Sequence, residues 1–572
     1  MYRSRPNRRR WHPERREGAP RSHCASCRTS PFPNPILVRC ELKYLPAAAG
    51  AAPFPSVTRS PVLIVGLPTV TDHQGDPGLD PDDLAATLRV LEQLPQLPAA
   101  HPDIETVKRA SQRMFNRVRK ARRAAARQER EQPLRQADEE VLARTATGSP
   151  MRIDDETRGI LLEASAPGEA AGLLHFDRGC YVCHAKYRQV DAFYHWLCPE
   201  CAAFSHGKRD QHVDLRGKRA LLTGGRAKIG MYIALMLLRD GAELTITTRF
   251  PRDAVRRFRA MPDADDWIER LTVVGIDLRD PSHVAALADE VAAGGALDIL
   301  INNAAQTVRR SAGSYSHLVR AEDAPRPAGV ALPRMVTFDR MSDAHPAQLV
   351  GSLGADAVAH HQDRDEHHEA AALAAQASAH VLRAGSASLE AYLAGTAVDA
   401  GGLLPDLATD NSWTNTVDQV DPLELLEVQL CNSVAPFVLV SRLRPAMRAA
   451  VHAGARRAYV VNVSAMEGQF GRRYKGAGHP HTNMAKAALN MLTRTSAQEM
   501  FDSDRILMTA VDTGWITDER PHDQKLRIAG EGWHAPLDLV DGAARVYDPI
   551  VQGESGIDLH GVFLKDFKPH PW

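Results

Sequence analysis

From Lys218 onward the sequence alternates short apolar runs with amphipathic stretches, and this alternation constrains the fold more than any other feature. Four runs are typical of strands: KRALLTGG, AELTITTR, LTVVGIDL and LDILINNAA. The stretch KIGMYIALMLLRDG, between the first two, has the apolar spacing of a helix. The pattern resumes later with LELLEVQLCNSVAPFVLVSRL (helix), RAYVVNVSA (strand), HPHTNMAKAALNMLTRTSA (helix) and RILMTAVDTGW (strand). Short apolar strands separated by helices predict an α/β fold with a doubly wound parallel sheet.

The chain of 572 residues is too long for a single hydrophobic core, so we expect several domains. Residues 1–60 are rich in Arg, Pro and Ala without periodicity, which predicts a disordered basic tail. We expect a mainly helical N-terminal region over 61–170 and a small metal-binding module over 175–212. The α/β domain is expected over 213–572, with a large insertion at about 310–410.

Lys+Arg and Asp+Glu each total 70, so the net charge is zero and does not argue for an acidic partner. A basic stretch, RVRKARRAAARQER, could contact a partner or nucleic acid, but a solvated helix face is the simpler interpretation. We therefore do not expect a nucleic-acid partner. No run of eighteen apolar residues exists, so we expect no membrane span. The N-terminus lacks the apolar segment of a secretory signal, although its Arg-rich character resembles a transit peptide. The expected compartment is the cytoplasm.

Two CxxC pairs form the strongest local motif. Fourteen residues separate the pair Cys180 and Cys183 from the pair Cys198 and Cys201. Each pair can present two thiolates to one ion, and four thiolates make the closed tetrahedral site of structural Zn²⁺. The alternative is four unliganded buried cysteines.

Two weaker metal candidates exist elsewhere in the chain. Cys24, Cys27 and Cys40 offer only three thiolates in the basic tail. In the insertion, His361, Asp365 and His368 would share a helix face, although a solvated His-rich surface is the simpler interpretation.

The stretch ALLTGGRAKIG follows a predicted strand and opens a predicted helix, which is the context that gives a glycine-rich turn its meaning. Its backbone must bend sharply at Gly224, and the N–H groups of the following helix then point at a pyrophosphate. Gly230 would allow close packing of helix against strand. This context predicts a Rossmann-type dinucleotide site.

Seven landmarks in order resemble the short-chain dehydrogenase/reductase family. They cover Lys218–Val308 and about Leu423–Trp515. TGGRAKIG resembles the family's TGxxxGIG turn, and NNAA resembles its NNAG. The others are the Asp of GIDL, the Asn of CNSVAPF, the strand VNVSA, the helix start TNMAK in place of YxxxK, and the turn DTGW.

The resemblance implies a set of nicotinamide-binding residues. They are Thr223, Gly224, Gly225, Arg226, Lys228, Ile229, Gly230, Arg249, Asp277, Leu278, Asn303, Ala304 and Lys486. Thr248 and Arg249 end the second strand where NAD-preferring members carry an acid, and an Arg can pair with a 2′-phosphate. NADP is therefore expected, with NAD as the alternative. Lys228 replaces the family's middle Gly, where its side chain would either crowd the phosphates or bring an ammonium to them.

The catalytic residues implied by the resemblance are altered. Lys486 and Asn432 are in place, but Thr482 stands where the family has its proton-donating Tyr. The family's Ser aligns with Ala465, one residue past Ser464. The substitute proton donors that we expect are Tyr474 and His481, because both types of side chain exchange protons and both residues lie at the entrance to the same helix.

Two functional hypotheses follow. The first is an atypical NAD(P)-dependent oxidoreductase that moves a hydride between nicotinamide and a carbonyl or alcohol substrate. It would act on a small molecule, and the family is often dimeric or tetrameric, so a homo-oligomer is expected. The second is an inactive dinucleotide-binding scaffold whose zinc module and basic helix contact a protein or nucleic acid; loss of both Tyr and Ser favours it.

Overall fold

The computed structural model describes residues 79–150, 168–310, 312–338, 409–472, 475–517 and 531–572. It also describes Arg152, His345, Leu403 and residues 519–521, 524–525 and 527–528. The chain divides into two compact units, Met1–Ile104 and Glu105–Trp572. Several sequence-based expectations lie outside the described residues: the basic tail with its three cysteines, most of the insertion with its His-rich stretch, and Tyr474.

Two helices begin the described part of the chain. Helix α1 (Pro81–Gln93) starts at Asp80, whose carboxylate accepts hydrogen bonds from the backbone N–H groups of Asp82 and Asp83. Helix α2 (Pro102–Ala143) is 42 residues long, and its only buried residue is Val141. The basic stretch predicted to be a solvated face therefore lies on an exposed helix.

A small module of two strands and one helix follows, and we call it the cysteine module. Strands β1 (Ala170–Gly179) and β2 (Lys186–Asp191) pair antiparallel, and helix α3 (Pro199–Arg209) packs against β2. One CxxC pair lies in the turn between the strands, and the other lies at the start of the helix. Aromatic side chains, including Phe193 and Tyr194, fill its core.

The α/β domain is built on a nine-stranded sheet with the order β11-β10-β9-β8-β6-β3-β4-β5-β7. All neighbours are parallel except β10 and β11, which form an antiparallel pair. The strands are β3 (Arg219–Leu222), β4 (Glu243–Thr248), β5 (Leu271–Gly275), β6 (Ile299–Asn302), β7 (Arg334–Thr337), β8 (Ala458–Ser464), β9 (Ile506–Asp512), β10 (Phe563–Lys565) and β11 (Lys568–His570). The predicted Rossmann-type doubly wound sheet is confirmed.

Helices cover both faces of this sheet. The helices are α4 (Lys228–Arg239), α5 (Pro251–Arg259), α6 (Pro281–Ala293), α7 (Ser316–Asp323), α8 (Pro422–Gln429), α9 (Ala435–His452), α10 (Pro480–Asp504) and α11 (Leu539–Glu554). Helices α4, α5 and α11 share one apolar core, and α6, α9 and α10 share the other. In β3, Ala220 and Leu222 join the first core and Leu221 joins the second, as the two-residue period of a strand requires.

Three strands of the nine-stranded sheet were not predicted from the sequence. The insertion was expected to interrupt the α/β pattern, yet β7 lies within it and extends the sheet in parallel beside β5. The short strands β10 and β11 close the opposite edge. Each has only three or four residues, which is too short for a periodic signal to separate it from a loop.

Among the described residues, one stretch is long and apolar enough to cross a membrane by length and composition alone. It is Pro422–His452, and 56% of its most apolar window is buried inside the protein. Its residues Leu439, Leu443 and Met447 are fully buried in the second core. A core helix of an α/β domain accounts for this composition.

Candidate functional site

The glycine-rich turn, Thr223–Gly230, connects β3 to α4 and has no room for side chains at its glycines. Gly224 has φ +69°, and a Cβ there would lie 2.9 Å from the Cα of Ala304. A Cβ on Gly225 would lie 2.5 Å from Cγ2 of Ile246, and one on Gly230 would lie 2.0 Å from the carbonyl oxygen of Gly224. Such contacts are closer than real Cβ atoms make, so the tight turn requires these three glycines.

Thr223 and Asn303 fasten this turn to the end of β6. The hydroxyl oxygen of Thr223 accepts hydrogen bonds from the backbone N–H groups of Asn303 and Ala304, each at 3.0 Å. In return, the Asn303 amide donates to the carbonyl oxygens of Thr223 and Gly224 at 3.0 and 3.1 Å. The predicted TGG and NNAA motifs therefore form one rigid unit at the carboxyl ends of two neighbouring strands, where open α/β sheets bind ligands.

Lys228 occupies the position of the family's middle Gly with a left-handed backbone, φ +53°. The residue type departs from the family, but the backbone conformation is the one that favours Gly. Its ammonium lies 3.8 Å from the carboxylate of Glu519. Ile229, the next residue, packs against the cluster of apolar side chains that contains Ile516.

Two arginines flank one aromatic ring after β4. The guanidinium of Arg226, in the glycine-rich turn, lies 5.3 Å from the ring centre of Phe250 and donates to Asp253 at 2.5 Å. The guanidinium of Arg249 lies 5.8 Å from the same ring and 5.1 Å from that of Tyr315. Both positive charges thus lie beside the end of β4, where the sequence predicts recognition of the ribose.

Asp277 follows β5, and its carboxylate pairs with Arg279 at 2.6 Å. Desolvation raises the pKa of the half-buried Asp277 carboxyl, but Arg279, the nearby His345 and Arg249 together hold it well below its usual range. Arg279 also donates to Glu427 at 2.7 Å, which links the loop after β5 to helix α8. Leu278, between them, is buried.

Lys486 is buried on helix α10, and its ammonium donates to the carbonyl oxygen of Val463 at 2.8 Å. Burial lowers the pKa of this ammonium to about 8, and the charges of Cys431 and Glu467 oppose that shift only in part. The residue therefore lies beside the end of β8, and its ammonium loses its proton more readily than that of an ordinary lysine.

Asn432 lies in a π-helical turn, Leu430–Val434, between α8 and α9. Its side-chain amide donates to the carbonyl oxygen of Gln306 at 2.8 Å, and its side-chain oxygen accepts from the backbone N–H of Gln306 at 2.7 Å. A π-turn inside a helix frequently marks a functional site. Here it fixes the amide against the loop that follows β6.

The remaining predicted catalytic residues differ in their surroundings. Ser464 donates its hydroxyl to Asn490 at 2.5 Å and is buried. Thr482 and His481 are also buried, yet the Thr482 hydroxyl and both ring nitrogens of His481 have no hydrogen-bond partner within the described part of the chain. Burial lowers the pKa of His481, and the neighbouring His479 adds to the effect. Tyr474 lies outside the described residues.

The structure brings the predicted site residues to one edge of the sheet. The glycine-rich turn, Arg249, Asp277 and the NNAA motif follow β3, β4, β5 and β6 respectively. Ser464 ends β8, and the ammonium of Lys486 bonds beside it to Val463. His481 is placed less favourably for the reaction, because on a helix it lies five residues from Lys486 and therefore on another face.

Several partners of these residues were not expected from the sequence. Asn302, Asn462 and Thr493 form a buried hydrogen-bonded chain that joins β6, β8 and α10, with distances of 2.8 and 3.0 Å. Gln306 and Asn490 hold Asn432 and Ser464. Buried polar residues inside otherwise apolar strands were the available signal, since such groups must find partners.

The four cysteines of the module are free thiols, and their Sγ atoms all lie within 4.8 Å of one another. The Sγ atoms of Cys183 and Cys198 are 3.6 Å apart. A tetrahedron with Zn–S bonds of ~2.3 Å has edges of about 3.8 Å, so this spacing fits one zinc ion. The backbone N–H of Cys198 also donates to Sγ of Cys180 at 3.3 Å, the kind of contact that supports a thiolate ligand.

Part of the chain matches a known protein family. Residues 218–320 match the family described as short chain dehydrogenase. A probable oxidoreductase of Streptomyces antibioticus is 38% identical over 92 residues, which are 16% of this chain and 30% of that protein. The match thus spans less than a third of the length of this oxidoreductase.

The chain is also similar to a longer stretch of a second protein and to a solved structure. An uncharacterized protein of Acanthamoeba polyphaga mimivirus is 29% identical over 384 residues, which are 65% of this chain and 71% of that protein. The crystal structure of a short chain dehydrogenase from Burkholderia cenocepacia in complex with NADP is 20% identical, with a TM-score of 0.36. It covers 62% of this chain and 97% of its own.

Proposed function

We propose that residues 213–572 form an atypical NADP-dependent oxidoreductase that transfers a hydride between nicotinamide and a carbonyl or alcohol carbon. The observation that carries this proposal is the glycine-rich turn, because a Cβ at Gly224, Gly225 or Gly230 would collide with neighbouring atoms. Such a turn opens helix α4, and the backbone N–H groups of a first helical turn have no acceptor within the helix, which suits a pyrophosphate. The short chain dehydrogenase match of residues 218–320 supports the same conclusion.

The preference for NADP over NAD rests on two positive charges beside Phe250. Arg226 and Arg249 both approach this ring, and residues 248–252 at the end of β4 include no acid to receive ribose hydroxyls. Guanidinium groups bind phosphate through paired hydrogen bonds. These two arginines would therefore hold the 2′-phosphate, while Asn303 and Thr223 keep the turn rigid.

The bound nicotinamide would supply or accept the hydride. Lys486 would hold the nicotinamide ribose, since its ammonium lies at the carboxyl end of β8. Asn432 would keep the loop after β6 in place through its two bonds to Gln306. An aliphatic hydroxyl is a far weaker acid than a phenol, so Thr482 does not replace the family's Tyr in proton transfer.

We assign proton transfer to His481, with Tyr474 as the alternative. Both ring nitrogens of His481 lack hydrogen-bond partners among the described residues, although the side chain is buried. Burial lowers the pKa of this imidazole, and the neighbouring His479 lowers it further, which favours the neutral ring. A neutral imidazole accepts a proton, which suits oxidation of an alcohol better than reduction of a carbonyl.

The cysteine module is proposed to hold one structural Zn²⁺ through Cys180, Cys183, Cys198 and Cys201. Four thiolates leave no position open for water, so the ion would stabilise the module and take no part in hydride transfer. Thiolate ligation of this kind suits a reducing compartment, and we propose the cytoplasm.

A second candidate function is a dinucleotide-binding scaffold without turnover. It is favoured by Thr482, whose hydroxyl stands in the position of the family's proton donor. A screen of aldehydes, ketones and alcohols, in which turnover is measured as the change in NADPH absorbance, separates the two functions. Turnover that is lost in His481→Asn, with NADPH binding retained, supports the oxidoreductase; NADPH binding without turnover of any substrate supports the scaffold.

A further inference from the structure

The segment between β9 and α11 connects the two candidate sites. It comprises the described residues between 513 and 537, and we call it the β9–α11 segment. It leaves the sheet at Asp512, which is paired in register with Ser464. Farther along, the carboxylate of Glu519 lies 3.8 Å from Lys228 of the glycine-rich turn and 3.6 Å from Arg310. The segment thus extends from the end of β8 to the turn proposed to bind phosphate.

The cysteine module holds the start of this segment through a residue inside its first CxxC pair. The backbone N–H of Trp515 donates to the hydroxyl oxygen of Tyr181 at 3.0 Å. The indole rings of Trp515 and Trp533 lie 6.2 and 5.5 Å from that of Trp196, in the same module. Both ends of the segment therefore contact the loop that the cysteines enclose.

The module also holds the end of the segment through buried charges. Arg209 of α3 donates two hydrogen bonds to Asp538 at 2.5 and 3.0 Å, and both side chains are only 1% exposed. Tyr194 donates to Asp541 at 2.6 Å. Asp538 and Asp541 together form the capping box that starts α11. Breaking such a buried pair leaves an uncompensated charge, so these contacts bind the module tightly to the start of the helix.

The apolar packing has the same continuity. Cys180 and Cys198 share one buried cluster with Ile516, Leu537 and Leu539. Ile229, which follows Lys228, packs against this cluster. The cysteines, the β9–α11 segment and the first turn of α4 therefore form one hydrophobic unit.

We propose that the metal-loaded cysteine module positions the β9–α11 segment over the dinucleotide site, with Tyr181 and Arg209 as the positioning residues. A Zn²⁺ ion held by the four cysteines would stabilise the loop that carries Tyr181, and Tyr181 accepts the hydrogen bond from the backbone N–H of Trp515. The role of the segment as a cover of a dinucleotide rests on the proposed oxidoreductase, and its dependence on the metal rests on the proposed zinc site.

The test compares two Tyr→Phe variants of the full-length, zinc-loaded protein. In Tyr181→Phe the Trp515 N–H loses its acceptor across the interface. In the matched control, Tyr187→Phe, the lost bond joins Tyr187 to the carbonyl of His195 inside the module. Zinc content per chain is measured by elemental analysis, and amide hydrogen exchange is followed by mass spectrometry in peptides from residues 513–541 and from β3 and β6.

We expect Tyr181→Phe to retain zinc and to exchange about fivefold faster in residues 513–521, as loss of one hydrogen bond implies. Tyr187→Phe should leave those residues unchanged. Removal of zinc from the wild type with a chelator should accelerate exchange throughout 513–541 without affecting β3 and β6. Equal exchange in both variants would overturn the proposal, as would zinc removal that leaves residues 513–541 protected.

NADPH titration of the same samples keeps the two proposals apart. Metal-dependent exchange in a protein that binds no NADPH would retain the positioning role and reject the oxidoreductase. NADPH binding that is unchanged by zinc removal, together with unchanged exchange, would reject the positioning role and retain the oxidoreductase. A weaker NADPH affinity in Tyr181→Phe than in Tyr187→Phe is the result expected from both.

Discussion

Lys486 and Val463 are joined by a hydrogen bond of 2.8 Å from the buried ammonium to a carbonyl oxygen at the end of β8. The bond places a positive charge at the carboxyl edge of the sheet, on the same side as the glycine-rich turn and the NNAA motif. A charge kept there in spite of its desolvation destabilises the folded chain unless a ligand uses it. We therefore expect substitution of Lys486 to change both the free energy of unfolding and the affinity for NADPH.

The first prediction concerns the dependence of stability on pH. The pKa of Lys486 is lowered from 10.5 to about 8 in the folded protein, so between these values the unfolded chain binds more protons and stability rises with pH. Lys486→Met removes this contribution. The free energy of unfolding of the variant should exceed that of the wild type below pH 8 by ~3 kcal/mol at most, and the difference should shrink toward pH 10.5. Urea titrations at several pH values measure it; a difference independent of pH would refute the assignment.

The second prediction concerns cofactor preference. Replacing either Arg226 or Arg249 by Gln should weaken NADPH binding about tenfold to a hundredfold, since charged hydrogen bonds contribute ~1.5–3 kcal/mol. NADH binding should change little. Arg216→Gln is the control, because Arg216 is exposed and, among the described residues, pairs only with nearby Asp214. Fluorescence titration with both nucleotides decides the matter, and an equal loss of NADPH and NADH affinity would contradict a 2′-phosphate role.

A third prediction compares two helical glycines. A Cβ at Gly230 would lie 2.0 Å from the carbonyl oxygen of Gly224, whereas one at Gly207 would meet nothing within 4 Å. Gly230→Ala should lower the free energy of unfolding by about 2 kcal/mol or more and abolish NADPH binding. Gly207→Ala should raise it by ~0.5–1 kcal/mol because Ala is the better helix former. If both variants proved equally stable, the close packing of the turn would be wrong.

The fourth prediction separates backbone strain from charge at Lys228. Its left-handed backbone, φ +53°, costs about 1 kcal/mol in a non-glycine residue. Lys228→Gly should therefore raise the melting temperature by a few degrees, and it should weaken NADPH binding if the ammonium contacts phosphate. Lys228→Asn tests the charge alone, since Asn tolerates this conformation. Tighter NADPH binding in both variants would show that the lysine crowds the phosphates instead.

The sequence predicted the central sheet well because its strands are apolar runs flanked by helices. Strands β3, β4, β5, β6, β8 and β9 all lie where the alternation places them. Strand β7 was missed because its position follows from pairing with β5 across some sixty residues, not from its own four-residue pattern. The interface between the cysteine module and the β9–α11 segment was missed for the same physical reason. Tyr181 and Trp515 are 334 residues apart in the chain, and no local periodicity reports such a contact.

The candidate site was predictable where residue type and spacing are tied to backbone geometry. Gly224 and Gly230 were singled out because a turn of this shape excludes side chains. The partners Gln306 and Asn490 were not, since a polar residue that holds another one has no spacing rule. The proton-transferring residue stays a prediction: His481 is buried without partners among the described residues, and Tyr474 lies outside them.

The most direct test of a nicotinamide site is an NADPH titration, followed by fluorescence, of the wild type, Lys486→Ala and Lys120→Ala, with NADH alongside. Lys120 lies on the exposed surface of α2 and serves as the matched control. Tight NADPH binding that weakens about tenfold or more in Lys486→Ala alone is the predicted result. Failure of the wild type to bind either nucleotide would contradict both the oxidoreductase and the dinucleotide scaffold.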